Sequence, residues 1–326
     1  MIKPLLNSLF IIFLGLAIGY SVQILEKNGK LHLPLNLENT RKILQKIAIL
    51  FLMPVTFIGA YWIIDFTQVN LLFFPLLCLF QLILGGTIAI LIARSIHMNN
   101  FDTGAFFCCG FFSNMGCIGG LICFLLLGEE GYKLAALYIF SIQIAYYTIG
   151  FPVAKYYAMK NNQQGQKIIN LNAMLKDPFI LIGIASIIIG LSFNISGLKR
   201  PTIFSNIIAL FVPLSTILLL ISIGLSMKLK KVRKYLKASI LIAGIKFMIV
   251  PTVMVLLGFL MDYHQIFDGI PLKVILILSS MPVAFNSLIP PSIYGLNLDL
   301  ANSCWIVTTF GLGLFLPILF LLVNLI

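Results

Sequence analysis

The stretch Ser113-Asn114-Met115-Gly116-Cys117-Ile118-Gly119-Gly120 lies in the middle of an apolar run from Thr103 to Leu127, long enough to cross a bilayer. Three glycines and a polar pair are poor helix material, since each glycine lowers helix stability by about 1 kcal/mol relative to alanine. Backbone amides cannot face hydrocarbon unpaired, so a loosened segment at this depth needs protein or a water-filled cavity beside it. A second interruption of this kind occurs at Met281-Pro282-Val283-Ala284-Phe285-Asn286-Ser287-Leu288-Ile289-Pro290-Pro291. Two interrupted spans in corresponding places are the sequence signature of a solute site at the bilayer midplane.

Composition sets the frame for both. Of the 326 residues, 60% are hydrophobic and 10% charged, where soluble domains carry about 25% charged residues. The chain therefore reads as an all-α polytopic membrane protein. Its net charge of +12 does not point to nucleic acid, because the basic residues concentrate in loops between apolar runs, as membrane orientation requires. All six cysteines fall inside apolar spans with no CxxC pair, so a zinc or dithiol site has no support and small buried thiols are expected. No cofactor or metal is expected. The N-terminal run from Leu5 continues to Leu25, too long for a signal peptide, and reads as an uncleaved first span.

Runs of about 20 apolar residues predict ten spans, near 5–25, 43–64, 70–94, 103–127, 132–158, 177–194, 206–227, 235–260, 272–294 and 299–323. The polar segment around Lys160-Asn161-Asn162-Gln163-Gln164-Gly165-Gln166-Lys167 divides them into a first five-helix repeat (1–158), a linker (159–176) and a second repeat (177–326). Sixteen of the 22 Lys and Arg residues fall on one side, five on the other, and Lys246 inside a span. The positive-inside rule then places the linker in the cytoplasm and both termini outside. Five spans per half make the halves inverted repeats. Phe51-Leu52-Met53-Pro54-Val55-Thr56 echoes Phe211-Val212-Pro213-Leu214-Ser215-Thr216, and Gly150-Phe151-Pro152 echoes Phe315-Leu316-Pro317. The breaks then occupy spans four and nine, the same place in each half.

Each half-helix starting at a break carries a partial positive charge of about +0.5 at its N-terminus, which favours an anion. Asn114 and Asn286 are the strongest polar groups there, each able either to contact a ligand or merely to cap its own half-helix. Ser113 and Ser287 are weaker candidates, since serine often bonds its own helix. Pro282, Pro290 and Pro291 remove amide donors and are expected to hold the second break open. Gly116, Gly119 and Gly120 are expected to let the broken helices cross closely, although small-residue packing alone explains glycines in membrane spans. Lys246 either gives a cavity positive potential for an anionic substrate or snorkels toward the Lys-rich loop Lys228–Lys237. That loop is either a partner site or a topological anchor on anionic lipid.

No Asp, Glu or His falls mid-span, which removes the usual devices for sodium or proton coupling and the catalytic pairs of an intramembrane enzyme. No GxxxxGK[ST] motif occurs, so ATP hydrolysis by this chain is not expected. Gly15-xxx-Gly19 in span one is a candidate helix-packing face for association between copies.

The chain resembles the auxin efflux carrier family, whose bacterial members include carriers of malonate and other organic acids. The resemblance rests on Leu52-Met53-Pro54; Ser113 to Gly119 running into Gly128-Glu129-Glu130-Gly131; Asp177-Pro178; Ser222-Ile223-Gly224-Leu225-Ser226; and Met281 to Ser287 followed by Tyr294-Gly295-Leu296. It implies ten helices in two inverted repeats, with broken spans four and nine crossing at a substrate site lined by Asn114 and Asn286. It further implies a scaffold from spans one, two, six and seven, a moving unit from the rest, and a homodimer. Family members often carry a proline just after the first break, where this chain has Gly120-Leu121. They often carry two asparagines in span five, where this chain has Ile142-Gln143; Gln143 then takes one polar contact, with Tyr146 or Tyr147 beside it. The expectation is a secondary-type carrier of small organic anions in the cell membrane, acting by alternating access. A carrier of cations or neutral solutes, or a membrane sensor that binds without transporting, is the alternative.

Overall fold

The structure, a computed structural model, describes residues 3–31, 36–65, 69–160, 178–229 and 231–326. Among them the chain is helical, and no strand forms beyond one isolated antiparallel bridge, Ser113 with Val283. Seven helical stretches are long and apolar enough to cross a membrane: Lys3–Lys27, Leu37–Trp62, Asn70–Ser95, Met115–Met159, Ile203–Gly224, Val232–Leu260 and Leu298–Leu325. Met115–Met159, at 45 residues, is roughly twice the ~30 Å hydrocarbon core at 1.5 Å per residue. It turns at Gly128, whose φ of 68° no helix contains.

Seven and ten differ for a physical reason. The expected spans 103–127 and 272–294 are cut by their own breaks, leaving α5 (Asn100–Phe111) and α13 (Ile270–Ser279) as short half-helices. The expected span 177–194 is α9 (Pro178–Ile195), next to residues 161–177, which lie outside the described part together with most of the 159–176 linker.

The chain falls into two compact units, and neither is a sequence half. One comprises Met1–Thr67, Gly116–Leu137 and Ile169–Met227; the other comprises Gln68–Met115, Tyr138–Ile168 and Lys228–Ile326. In the first, α1 (Lys3–Lys27) packs on α10 (Ile203–Gly224) along a seam where glycines let the backbones meet. A Cβ at Gly19 would stand 2.1 Å from the Ile221 carbonyl oxygen, and one at Gly224 2.5 Å from that of Leu16. The Gly15-xxx-Gly19 face is therefore filled within the chain, with Gly15 against Leu220, and is not free for a second copy. Only glycine permits this approach, and close backbone packing is what associates helices in lipid. Elsewhere in this unit the Asn194 amide donates to the Tyr61, Trp62 and Ile64 carbonyls at 3.1, 2.9 and 2.9 Å, closing the end of α3 (Met53–Trp62). Thr56 shares a hydrogen bond with Tyr132 (2.7 Å), and Arg200 pairs with Glu129 while donating to the Gly59 carbonyl (3.0 Å).

Three prolines follow a widened, π-helical turn by two residues: Ala48–Leu52 before Pro54, Tyr146–Gly150 before Pro152, and Ile245–Ile249 before Pro251. In each, the residue just before the proline donates five residues back, to Ala48, Tyr146 and Ile245. The slip spares the turn the clash and lost bond that cost about 3 kcal/mol in a regular helix. Pro213 and Pro317, their sequence counterparts for Pro54 and Pro152, sit inside continuous α-helix instead. A fourth widened turn, Met115–Gly119, has no proline after it but Gly120-Leu121.

Candidate functional site

The second unit holds both breaks. Helix α5 starts at Asn99, whose Oδ1 accepts the Asp102 amide at 2.9 Å, and ends at Phe111. Phe112 is extended (φ −74°, ψ 128°). Its last turn is pinned against α4 (Phe74–Ser95), where a Cβ on Gly110 would lie 2.5 Å from both the Ala89 Cβ and the Gly85 oxygen. Helix α13 begins after Gly269 (φ 74°) with Pro271 in its first turn, and stops at Ser279. Pro282 dictates that stop, since the residue before a proline is driven out of the helical region. Ala284 is again extended (φ −73°, ψ 149°).

The two extended segments satisfy one another. The Asn114 amide donates to the Pro282 carbonyl (2.9 Å) and the Ala284 amide to the Phe112 carbonyl (3.3 Å), an antiparallel pair centred on Ser113 and Val283. The Ser113 hydroxyl donates to the Met281 carbonyl (3.2 Å). Tyr146 closes the first segment by donating to the Ser113 carbonyl (2.8 Å) and accepting its amide (3.2 Å). Thr308 closes the second by accepting the Val283 amide at 3.2 Å. Freed backbone groups, each worth several kcal/mol if left unpaired in hydrocarbon, are thus absorbed by a two-segment bridge and three hydroxyls.

The sequence candidates are distributed unevenly around this bridge. Asn114 is 8% exposed, and its side chain takes no part in the hydrogen bonds that hold the bridge. Asn286 lies in the short 3₁₀ turn Phe285–Leu288 and is exposed. Ser113 and Tyr146 are engaged in the bridge itself. Ser287 is fully buried with no partner for its hydroxyl among the described residues, as are Ser280 and the Trp305 indole N–H. Phe285 sets its edge on Trp305 at 5.6 Å. Gln143, one turn before Tyr146, is exposed and takes no part in the bridge. Lys246 is 3% exposed within the widened turn Ile245–Ile249 and within electrostatic reach of Cys109, without an ion pair among the described residues.

The break-forming residues also differ from expectation in place. Gly116 and Gly119 lie in the widened turn Met115–Gly119, and Gly120 opens α6 (Gly120–Tyr138), so all three follow the bridge. Pro282 is in the bridge, its carbonyl accepting Asn114. Pro290 and Pro291 open α14 (Ile289–Tyr294), a first turn whose amides are unpaired anyway; they start the half-helix and do not hold the break open.

Two residues that complete the arrangement escaped the sequence reading. Thr308 is one of several hydroxyls in an apolar run. Gln81 carried a signal, a buried amide in an otherwise apolar span: it accepts the Tyr138 hydroxyl (2.7 Å) and donates to the Leu278 carbonyl (3.1 Å) near the end of α13.

Chemically, the two breaks offer the Asn114 amide side chain and the orphan hydroxyl of Ser287, and Lys246 is buried elsewhere in the same unit. That set can hold a small polar or anionic solute and lacks a nucleophile–base pair. No family model matches the chain. It is similar to an uncharacterized transporter of Methanothermobacter thermautotrophicus, at 23% identity over 294 residues covering 90% of this chain and 89% of that protein. It is similar also to an uncharacterized transporter of Methanocaldococcus jannaschii, at 28% identity over 287 residues covering 84% and 87%. The likeness to these two proteins named as transporters runs over most of the chain, and with the seven apolar helices among the described residues it points to a multi-pass membrane protein.

Proposed function

We propose that the chain is a secondary-type carrier of small organic anions, such as mono- or dicarboxylates, of the auxin efflux carrier kind. The observation that carries this reading is the crossing of two helix breaks with the buried Asn114 side chain beside it. Asn114, Ser287 and Lys246 bind the anion; Asn286 and Gln143 contact it only as it enters. Ser113 and Tyr146 hold the bridge in shape. The ten spans form two inverted repeats, and the unit containing the bridge is the moving part in alternating access. The grouping of α1, α3, α9 and α10 in the other unit supports that division, while the same unit also takes in Gly116–Leu137, which holds the second half of span four. The protein acts as a homodimer in the cell membrane, termini outside and the 159–176 linker inside. An inside-negative potential then drives an anion outward with about 2.3 kcal/mol per charge per 100 mV.

The test is uptake into proteoliposomes from a panel of labelled mono- and dicarboxylates, organic cations and neutral solutes, under imposed voltage, salt and pH gradients. Saturable, voltage-sensitive flux of a carboxylate is expected. Flux of cations or neutral solutes alone would overturn the substrate class, and tight binding with no flux would make the protein a sensor.

A further inference from the structure

The chain leaves the first unit at Met227 and enters the second at Lys228. Five described cations follow within ten residues, Lys228, Lys231, Arg233, Lys234 and Lys237, all exposed. The segment is fastened to the second unit by its backbone and by one charge. Asn302 donates to the Lys228 carbonyl (2.7 Å), Asn297 to the Tyr235 hydroxyl (3.1 Å), and Lys231 pairs with Asp299. Lys228, Arg233, Lys234 and Lys237 have no carboxylate partner among the described residues. A fixed backbone therefore presents four uncompensated cations.

Their depth follows from their neighbours. The segment joins two spanning helices, Ile203–Gly224 and Val232–Leu260, across seven residues, so at about 3.5 Å per residue it stays at the bilayer surface. Exposed Leu236 (43%) and Ile240 (58%) stand among the cations. Cations with interleaved apolar side chains suit an amphiphile, charged at its head and apolar below. An acidic protein or a free phosphate would use the charges and leave Leu236 and Ile240 uncovered.

We propose that Lys228, Arg233, Lys234 and Lys237 form a docking surface for anionic lipid headgroups, where the chain enters the second unit. This holds whatever solute the protein carries.

The experiment uses the full chain in neutral detergent, reading lipid retention by native mass spectrometry and the melting temperature. Phosphatidylglycerol is expected to be retained and to raise the melting temperature, whereas phosphatidylcholine, glycerol phosphate and polyglutamate do neither. Changing the four residues to Gln should abolish retention, with affinity falling about fivefold per charge removed. Changing them to the opposite base (Lys228→Arg, Arg233→Lys, Lys234→Arg, Lys237→Arg) should preserve it. Lys27→Gln, Lys30→Gln and Lys46→Gln together should leave retention intact. Undiminished retention in the four-Gln variant overturns the site. An equal response to glycerol phosphate or polyglutamate overturns lipid as its occupant.

Discussion

The two breaks look like a matched pair in sequence, yet they are built differently. The first is brief: α5 ends at Phe111, the bridge spans Phe112 to Asn114, and a widened turn begins at Met115. The second is longer, from Ser280 through Ala284, and leads into a 3₁₀ turn before α14. Centred on the Ser113–Val283 bridge, Asn114 follows by one residue and Asn286 by three. That offset buries one asparagine and exposes the other. It also pairs the Ser113 hydroxyl while leaving that of Ser287 without a partner among the described residues. Two similar sequence patterns thus yield one buried asparagine and one hydrogen-bonded serine at the crossing, not two of each.

The bridge itself is the strongest point at which to break the comparison. Ala284 already has a proline-compatible φ of −73°, so Ala284→Pro keeps the backbone angle, removes the amide that donates to Phe112 and sets a ring carbon against that carbonyl. An unpaired carbonyl in hydrocarbon costs several kcal/mol, and both a marked fall in melting temperature and loss of flux are expected. Unchanged stability in detergent would mean that the crossing is not held by these bonds.

Next in size is the contrast between the two asparagines. A hydrogen bond to a charged ligand is worth about 1.5–3 kcal/mol, roughly tenfold to a hundredfold in Kd. Asn114→Ala should lose that much affinity for the transported anion, and Asn286→Ala less than about threefold. Isothermal titration on both variants measures the asymmetry directly; equal losses would restore the symmetric reading.

Tyr146→Phe sharpens the division between holding and binding. Its hydroxyl serves both the amide and the carbonyl of Ser113, so the variant should lose about 1–3 kcal/mol of stability. Anion affinity should change little. A large affinity loss at unchanged melting temperature would move Tyr146 from the bridge to the ligand.

How much of this was legible beforehand depends on what kind of signal each feature leaves. The apolar runs and both interruptions were readable, because hydropathy is local and a Ser-Asn pair or a Pro-rich segment at mid-span has a direct backbone cost. The first break overlaps the Ser113–Gly120 stretch but begins one residue before it, at Phe112. Gly116, Gly119 and Gly120 draw attention as helix-weakening, but the helix ends earlier, at Phe111, where Phe112 finds a partner strand far along the chain. Such a partner has no local trace. Pro290 and Pro291 were misread for the converse reason: proline breaks a helix from inside and starts one from its first turn, and sequence alone does not say which. The Gly15-xxx-Gly19 face was recognised as a packing surface, but its occupant, Gly224, is two hundred residues away. Two compact units that interleave the sequence halves leave no local trace either; only the family resemblance implied a grouping of spans one, two, six and seven.

The smallest expected effect carries the most specific information about the second break. Ser287→Ala removes a buried hydroxyl that has no hydrogen bond to lose among the described residues, so folding stability should stay within about 0.5 kcal/mol or rise slightly. Ser113→Ala, its apparent counterpart, leaves the Met281 carbonyl without its donor and should cost about 1 kcal/mol. A buried polar group without a protein partner is costly to maintain, and the proposed anion gives Ser287 a reason to be there. Ser287→Ala should then weaken anion binding about fivefold to tenfold while the melting temperature of the ligand-free protein does not fall. If affinity is unchanged as well, Ser287 contacts no ligand, and the second break contributes shape to the site through Pro282 and Val283 but no binding group.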